Sequence, residues 1–150
     1  MKKLFLFLAV SSLVLTSCSK DDDGKKIGGT ITVTIDGQTK TFNNVVVYEE
    51  VYNAGTADEY TDLLVDGSIG NSTNETITFE LEKGDTSSNS IYFFYEKNGV
   101  IYSYNGMTST ITTNNNSKKL KGNFSGTMSN FSGPEGINLE FTNGSFDIQY

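Results

Sequence analysis

Apolar and polar residues alternate with a period of two through most of this chain, the spacing of strands with one buried face rather than of helices. Ile31, Val33 and Ile35 alternate with Thr30, Thr32 and Thr34, and Asp36-Gly37 then supplies the two positive-φ positions of a two-residue hairpin turn. That turn pairs Ile35 with Gln38, Val33 with Lys40 and Ile31 with Phe42. Further strands are predicted over 45–48, 63–69 and 76–81; in the last, Ile77, Phe79 and Leu81 alternate with Thr76, Thr78 and Glu80. Asn98-Gly99 predicts a second hairpin, between strands 91–95 and 100–104, with Tyr95 opposite Tyr102 and Phe93 opposite Tyr104. Over 120–128, Phe124 and Met128 share a face with Gly122 and Gly126, and alternate glycines in a strand predict a bulge or the close approach of another backbone.

At the C-terminus Ile137, Leu139 and Phe141 precede Asn143-Gly144, and Phe146, Ile148 and Tyr150 follow it. A two-residue turn there pairs Phe141 with Phe146, Leu139 with Ile148 and Ile137 with Tyr150, all six on one face. A slip of one residue would turn one of those apolar sets into solvent, so pattern and turn demand the same register. No stretch beyond the N-terminus combines helical spacing with caps. The expected fold is therefore all-β: an antiparallel β-sandwich of about eight to ten strands, with a meandering β-barrel as the alternative.

The first residues obey a different pattern. Met1-Lys2-Lys3 is basic, residues 4–15 are almost wholly apolar, and Leu15-Thr16-Ser17-Cys18 ends the run at the only cysteine. An apolar run of about 12 residues is too short for a spanning helix, which needs ~20, and suits a cleaved signal peptide. Residues 15–18 resemble the bacterial lipobox, which implies that Cys18 is alkylated by diacylglycerol, becomes the first residue after cleavage, and is acylated on its new amine. Two or more acyl chains give stable attachment where one is marginal. The alternative is an ordinary secretory signal followed by a free thiol. Ser19, Lys20, Asp21, Asp22 and Asp23 are similar to the surface-export signal of lipoproteins from the Bacteroidota, which implies display on the outer leaflet; otherwise the three aspartates merely solvate a tether. The expected division is a signal peptide over 1–17, a lipidated acidic tether over 18–28, disordered and poor in apolar residues, and an all-β domain over 29–150.

Loss of residues 1–17 leaves 133, enough for one domain with a real core, and a net charge of −9. An acidic body argues against nucleic acid and anionic headgroups as partners. The chain has no Arg, His or Trp, and beyond Cys18 no thiol, so the usual nucleophile–base pairs and His-bearing zinc sites cannot be built. A carboxylate pair remains possible, as glycoside hydrolysis uses, with the two groups about 5–10 Å apart across a cleft. Glu49 or Glu50 with Asp58, Glu59 or Asp62 are the candidates, in or beside the longest irregular stretch, 49–61; the plainer reading is solvent-facing loop acids. Asp58, Glu59 and Asp62, with Asp66, are also candidate oxygen ligands for calcium, without the EF-hand arrangement. No cofactor is expected.

Aromatic platforms are a third possibility, with Tyr48, Tyr52, Tyr60, Tyr92, Tyr95, Tyr102 and Tyr104 as the available rings and Tyr92, Tyr102 and Tyr104 as the candidates for ligand contact. Alternation puts Phe93, Tyr95, Tyr102 and Tyr104 on one face of their hairpin and Tyr92, Phe94 and Ile101 on the other. One face is core. The second needs a covering sheet, a partner or a ligand, and core on both sides is the favoured expectation.

The stretches Gly29-Thr30-Ile31-Thr32-Val33-Thr34-Ile35-Asp36-Gly37-Gln38, Leu120-Lys121-Gly122-Asn123-Phe124-Ser125-Gly126-Thr127 and Phe141-Thr142-Asn143-Gly144-Ser145-Phe146-Asp147 resemble small Bacteroidota lipoproteins of unknown function. The likeness covers the ends of the body better than its middle, and a Trp common after the first turn in those proteins is absent here, where Phe42 lies nearest. It implies an outer-membrane, surface-exposed lipoprotein held by its N-terminal lipid. The expected role is a non-enzymatic accessory or binding module with a glycan or protein partner at the cell surface. The alternatives are a carboxylate-dependent glycan hydrolase and a carbohydrate-binding module using exposed tyrosines.

Overall fold

The computed structural model describes residues 25–87, 91–104, 106–130 and 136–150, with backbone alone for 25–27 and 104. Ten strands fall within them: β1 (Lys25–Ile35), β2 (Gln38–Phe42), β3 (Asn44–Tyr52), β4 (Tyr60–Ile69), β5 (Ser72–Glu82), β6 (Tyr92–Lys97), β7 (Val100–Tyr104), β8 (Thr108–Asn115), β9 (Lys119–Asn130) and β10 (Ile137–Gln149). The all-β antiparallel class holds. Of the two architectures, the pairings select the meander, because each stave pairs with the next one in sequence and β10 pairs with both β9 and β1. β2 and β3 together make one stave along β1, interrupted at Asn43, and β7 and β8 together make another along β9. The result is an up-and-down barrel of eight staves, which removes the free edges that an open sheet would leave.

At one end of the barrel, here the base, β1 begins and β10 ends. The other end, the mouth, carries the tight turns at Asp36-Gly37, Gly70-Asn71 and Asn98-Gly99. Asp36, Gly37, Asn98 and Gly99 all have positive φ, as the two-residue turns require. The first hairpin has the expected register, Ile35 to Gln38 through Ile31 to Phe42, and the second pairs Tyr95 with Tyr102. The predicted Phe93–Tyr104 pair does not form: pairing with β6 ends at Phe94–Ser103, and Tyr104 pairs with Met128 of β9.

Inward-facing side chains fill the barrel. Phe79 lies 5.5 Å from Phe93 and 5.1 Å from Phe146, and Phe93 lies 4.8 Å from Phe124. A small barrel can be plugged in this way by its own residues. Gly67 and Gly122 provide the room: a Cβ on Gly67 would come within 2.8 Å of Ile31 Cδ1, and one on Gly122 would strike the Phe146 ring. Gly126 answers the second half of its prediction, since a Cβ there would lie 2.6 Å from the Met107 Cα on the neighbouring stave.

Four expectations are corrected. Strand β1 starts at Lys25, not Gly29: Lys25, Lys26 and Ile27 pair with Val47, Val46 and Val45, so residues 25–28 belong to the sheet and not to a tether. Asn143-Gly144 is not a hairpin turn: β10 runs straight through it, Phe141 facing Gly126 and Phe146 facing Gly122. An extra residue is inserted there relative to both β9 and β1, with Asn143 at φ 53, so the apolar sets before and after it keep to the same face. Phe141, Phe146 and Ile148 are buried as expected, whereas Ile137 is 58% exposed. The irregular stretch shrinks to 53–59, since Glu49 and Glu50 belong to β3 and Asp62 to β4. Finally, the outer face of the β6–β7 hairpin is not core: Tyr92, Phe94 and Ile101 are 64%, 45% and 59% exposed, because a barrel is one layer thick and none of the described residues packs outside it there.

Candidate functional site

Each end of the barrel holds a carboxylate gripped by lysine beside a tyrosine. At the base, Glu49 accepts from Lys83 Nζ at 2.8 Å and pairs with Lys118 Nζ at 3.2 Å. Lys83 holds its carboxyl below the ordinary range, against the opposing effect of burial, and Lys118 adds to the shift. Tyr150 sits beside this pair, its phenol pushed up to about 12 by burial and by the Glu49 charge, with Lys83 Nζ 6.0 Å from its ring centre. The Asn114 amide fastens the β5–β6 connection by donating to the Glu82 and Asp85 carbonyls, each at 2.8 Å. The base is thus closed by its own residues.

At the mouth, Tyr95 donates to Glu75 Oε1 at 2.5 Å, and Lys40 Nζ meets the same oxygen at 2.5 Å. Burial works against ionisation of Glu75, but Lys40, Tyr95 and the field of Lys97 outweigh it and its carboxyl lies below the ordinary range. Burial, then the bond to Glu75, raises the Tyr95 phenol far above its ordinary 10.0. Beside this triad opens a cavity of about 210 Å³ with Ile35, Leu139, Tyr95 and Tyr102 as its walls and Asp36, Gln38, Lys40 and Lys97 as its polar groups. Asp36 is locked to β10: its N–H donates to the Glu140 carbonyl at 3.0 Å, and its Oδ1 accepts from the Glu140 N–H at 2.8 Å. Tyr95 and Tyr102 lie 5.8 Å apart, and the Phe141 ring stands edge-on 5.5 Å from Tyr95. Sequence alternation put Tyr95 and Tyr102 on the same face, but nothing local joined them to Asp36, Gln38 or Leu139.

Of the predicted ligand-contact rings, Tyr102 lines this cavity and Tyr92 stands on the outer wall, so the two cannot form one platform. Tyr104 is placed by its backbone pairing with Met128. Tyr52 and Tyr60 do form an outward stack, with centroids 5.0 Å apart and planes at 14°, because they are a directly paired cross-strand couple.

The acids expected in one loop are spread over different elements. Glu59 Oε2 accepts from the Gly55 N–H at 2.7 Å, and the Asp58 carbonyl accepts from Asn53, so both serve the β3–β4 loop. Asp62 lies on β4 directly opposite Glu50. Burial, then the Glu50 charge, raises its carboxyl, and a hydrogen bond with Glu80 partly offsets this. Glu50 in turn raises the Tyr52 phenol through a hydrogen bond. Asp66, further along β4, accepts from Thr78 Oγ1 at 2.7 Å. Among the described residues no three His, Cys, Asp or Glu side chains converge as a metal ion requires. Two shallower concavities lie elsewhere, one bordered by Thr108, Asn123 and Ser145, the other by Asn44, Asp66 and Thr78. Cys18, Ser19, Lys20, Asp21, Asp22 and Asp23 lie outside the described residues.

No protein-family model, curated protein or solved structure matches this chain. Of the three concavities described, the mouth cavity is the most enclosed, and it joins apolar walls to a small set of convergent polar groups, as ligand sites do.

Proposed function

We propose that this chain is an outer-membrane lipoprotein, anchored through Cys18 and facing the exterior, that acts as a non-enzymatic binding module. The observation that carries the reading is the placement of the two barrel ends. β1 begins at the base, while the cavity opens at the mouth. A barrel tethered through residues preceding Lys25 would turn its sealed end to the membrane and its cavity outward. The acidic body suits that posture, since it is repelled by anionic headgroups. The hydrolase alternative has less support, because Glu50 and Asp62 are neighbours on an open outer wall and line none of the three concavities described above.

The test is made in the native host. Mass spectrometry of the membrane fraction should find an acylated Cys18 as the first residue, and Cys18→Ala should leave unprocessed or released protein. Replacing Asp21, Asp22 and Asp23 together by Ala should abolish digestion by protease added to intact cells without changing lipidation. An unmodified Cys18 refutes the anchor; unchanged digestion refutes the role of the aspartates.

A further inference from the structure

We infer that the mouth cavity binds one uncharged pyranose ring, the terminal sugar of a glycan; this rests on the binding-module reading and names its ligand. The cavity's volume of about 210 Å³ equals the share of about seven liquid waters, room for one six-membered sugar ring rather than a disaccharide. Its walls and its polar groups match the two characters of such a ring. Ile35, Leu139 and the edges of Tyr95 and Tyr102 offer an apolar surface for the C–H face. Gln38 supplies both a donor and an acceptor, Lys97 a donor, and Asp36 an acceptor at Oδ2, since only its Oδ1 is engaged among the described residues.

Tyr102 adds a further polar group to this lining. It is 8% exposed, its ring packs against Tyr95, and among the described residues no group hydrogen-bonds its hydroxyl. That hydroxyl is open to the cavity rather than sealed in the core, and a phenol and a sugar hydroxyl can each donate to and accept from the other.

Charge decides against an anion. Lys40 and Lys97 are matched by Glu75 and Asp36, Lys40 is spent on Glu75 at 2.5 Å, and Lys97 acts on the same carboxylate. With no surplus cation inside and a strongly acidic body outside, a carboxylate- or sulfate-bearing sugar gains nothing here.

The experiment uses the full lipidated protein in detergent micelles and saturation-transfer NMR with the methyl glycosides of glucose, galactose, mannose and N-acetylglucosamine, with methyl glucuronide as the charged control. At least one neutral glycoside should receive saturation at millimolar concentration, and the glucuronide none. Tyr102→Phe should weaken that binding about fivefold to tenfold, the worth of one hydrogen bond, with the thermal transition unmoved. Gln38→Ala, an exposed substitution, should weaken it comparably and guards against misfolding in the first variant. The inference is overturned if no neutral glycoside binds, if the glucuronide binds better, or if neither substitution weakens binding. Failure of the anchoring would appear separately, as an unmodified Cys18 in a protein that still binds glycoside.

Discussion

The base and the mouth use the same parts to different ends. Both place a glutamate against a lysine with a tyrosine close by, yet Glu49 at the base is shared between two partly solvated lysines, while Glu75 at the mouth draws its bonds from a well-covered lysine and a buried phenol. The base is knitted shut further by Asn114 and by Gln149, which donates to the Ser117 carbonyl at 2.9 Å. The mouth carries tight turns at Asp36-Gly37, Gly70-Asn71 and Asn98-Gly99 among the described residues, and its triad stiffens one wall of an open cavity instead of filling it. Similar chemistry therefore seals the end where Asn114 and Gln149 tie the connections together, and leaves a cavity beside the triad at the other.

The comparison breaks most completely if the base is removed. Ending the chain after Asn143 deletes the half of β10 that carries Phe146 and Ile148 between β9 and β1, and leaves the mouth residues Ile35 and Leu139 in place. Burial of a large apolar side chain stabilises by about 1.5–3 kcal/mol, so these two alone approach the lower end of the ~5–15 kcal/mol of a whole domain. Calorimetry should show no cooperative transition; a transition within a few degrees of the intact protein would mean that β10 does not close the barrel.

Next come the two glutamates. Glu75→Ala strands a buried phenol and a mostly covered ammonium, for an expected loss of about 2–4 kcal/mol in urea denaturation. Glu49→Ala frees two lysines that can reach water and should lose about 1 kcal/mol. The reverse order would contradict the contrast drawn between the ends.

Protonation offers a gentler probe. Glu49 and Glu75 are held below their ordinary 4.5, so their contribution is complete above that value and is lost as pH falls through the folded-state values. Tyr95 and Tyr150 are held above 10.0, so theirs is present below pH 10.0 and is lost as pH rises, for Tyr150 toward about 12. Stability plotted against pH should form a plateau with an acid and an alkaline limb, and Glu75→Gln should flatten the acid one. An unchanged acid limb would remove Glu75 as its source. The smallest effect expected is that of Lys118→Ala, about 0.5 kcal/mol or less, since the half-exposed Lys118 is the outer partner of Glu49.

How much of this was legible locally differs from residue to residue. The Asp36-Gly37 turn with its full register, and the Asn98-Gly99 turn with its Tyr95–Tyr102 pair but not Phe93–Tyr104, are legible from the dipeptides, yet the same kind of dipeptide at Asn143-Gly144 is a bulge. The dipeptide encodes a left-handed residue followed by glycine, which suits both a tight turn and an extra residue in a strand. The choice at 143 is made by β9 and β1, which hold β10 on both sides. Strand β8 carries no apolar alternation, because Ile111 is its one apolar residue and its other buried positions are filled by Ser109 and Asn114. The acids at 49–62 looked like one loop because Glu49 and Glu50 break the apolar run, although both lie in β3.

Alternation by itself determined that this chain forms antiparallel strands, which residues face inward along most of them, and where two of the tight turns fall, because each of these depends on neighbours within a few positions. Only the tertiary structure decided that β10 returns to β1, since closure depends on pairing residues more than a hundred positions apart. Closure also decided the site. It brings Asp36, Lys40, Tyr102 and Leu139, from β1–β2, β7 and β10, around one cavity, and it leaves Tyr92 and Phe94 exposed on the outer wall, with no second layer among the described residues to cover them.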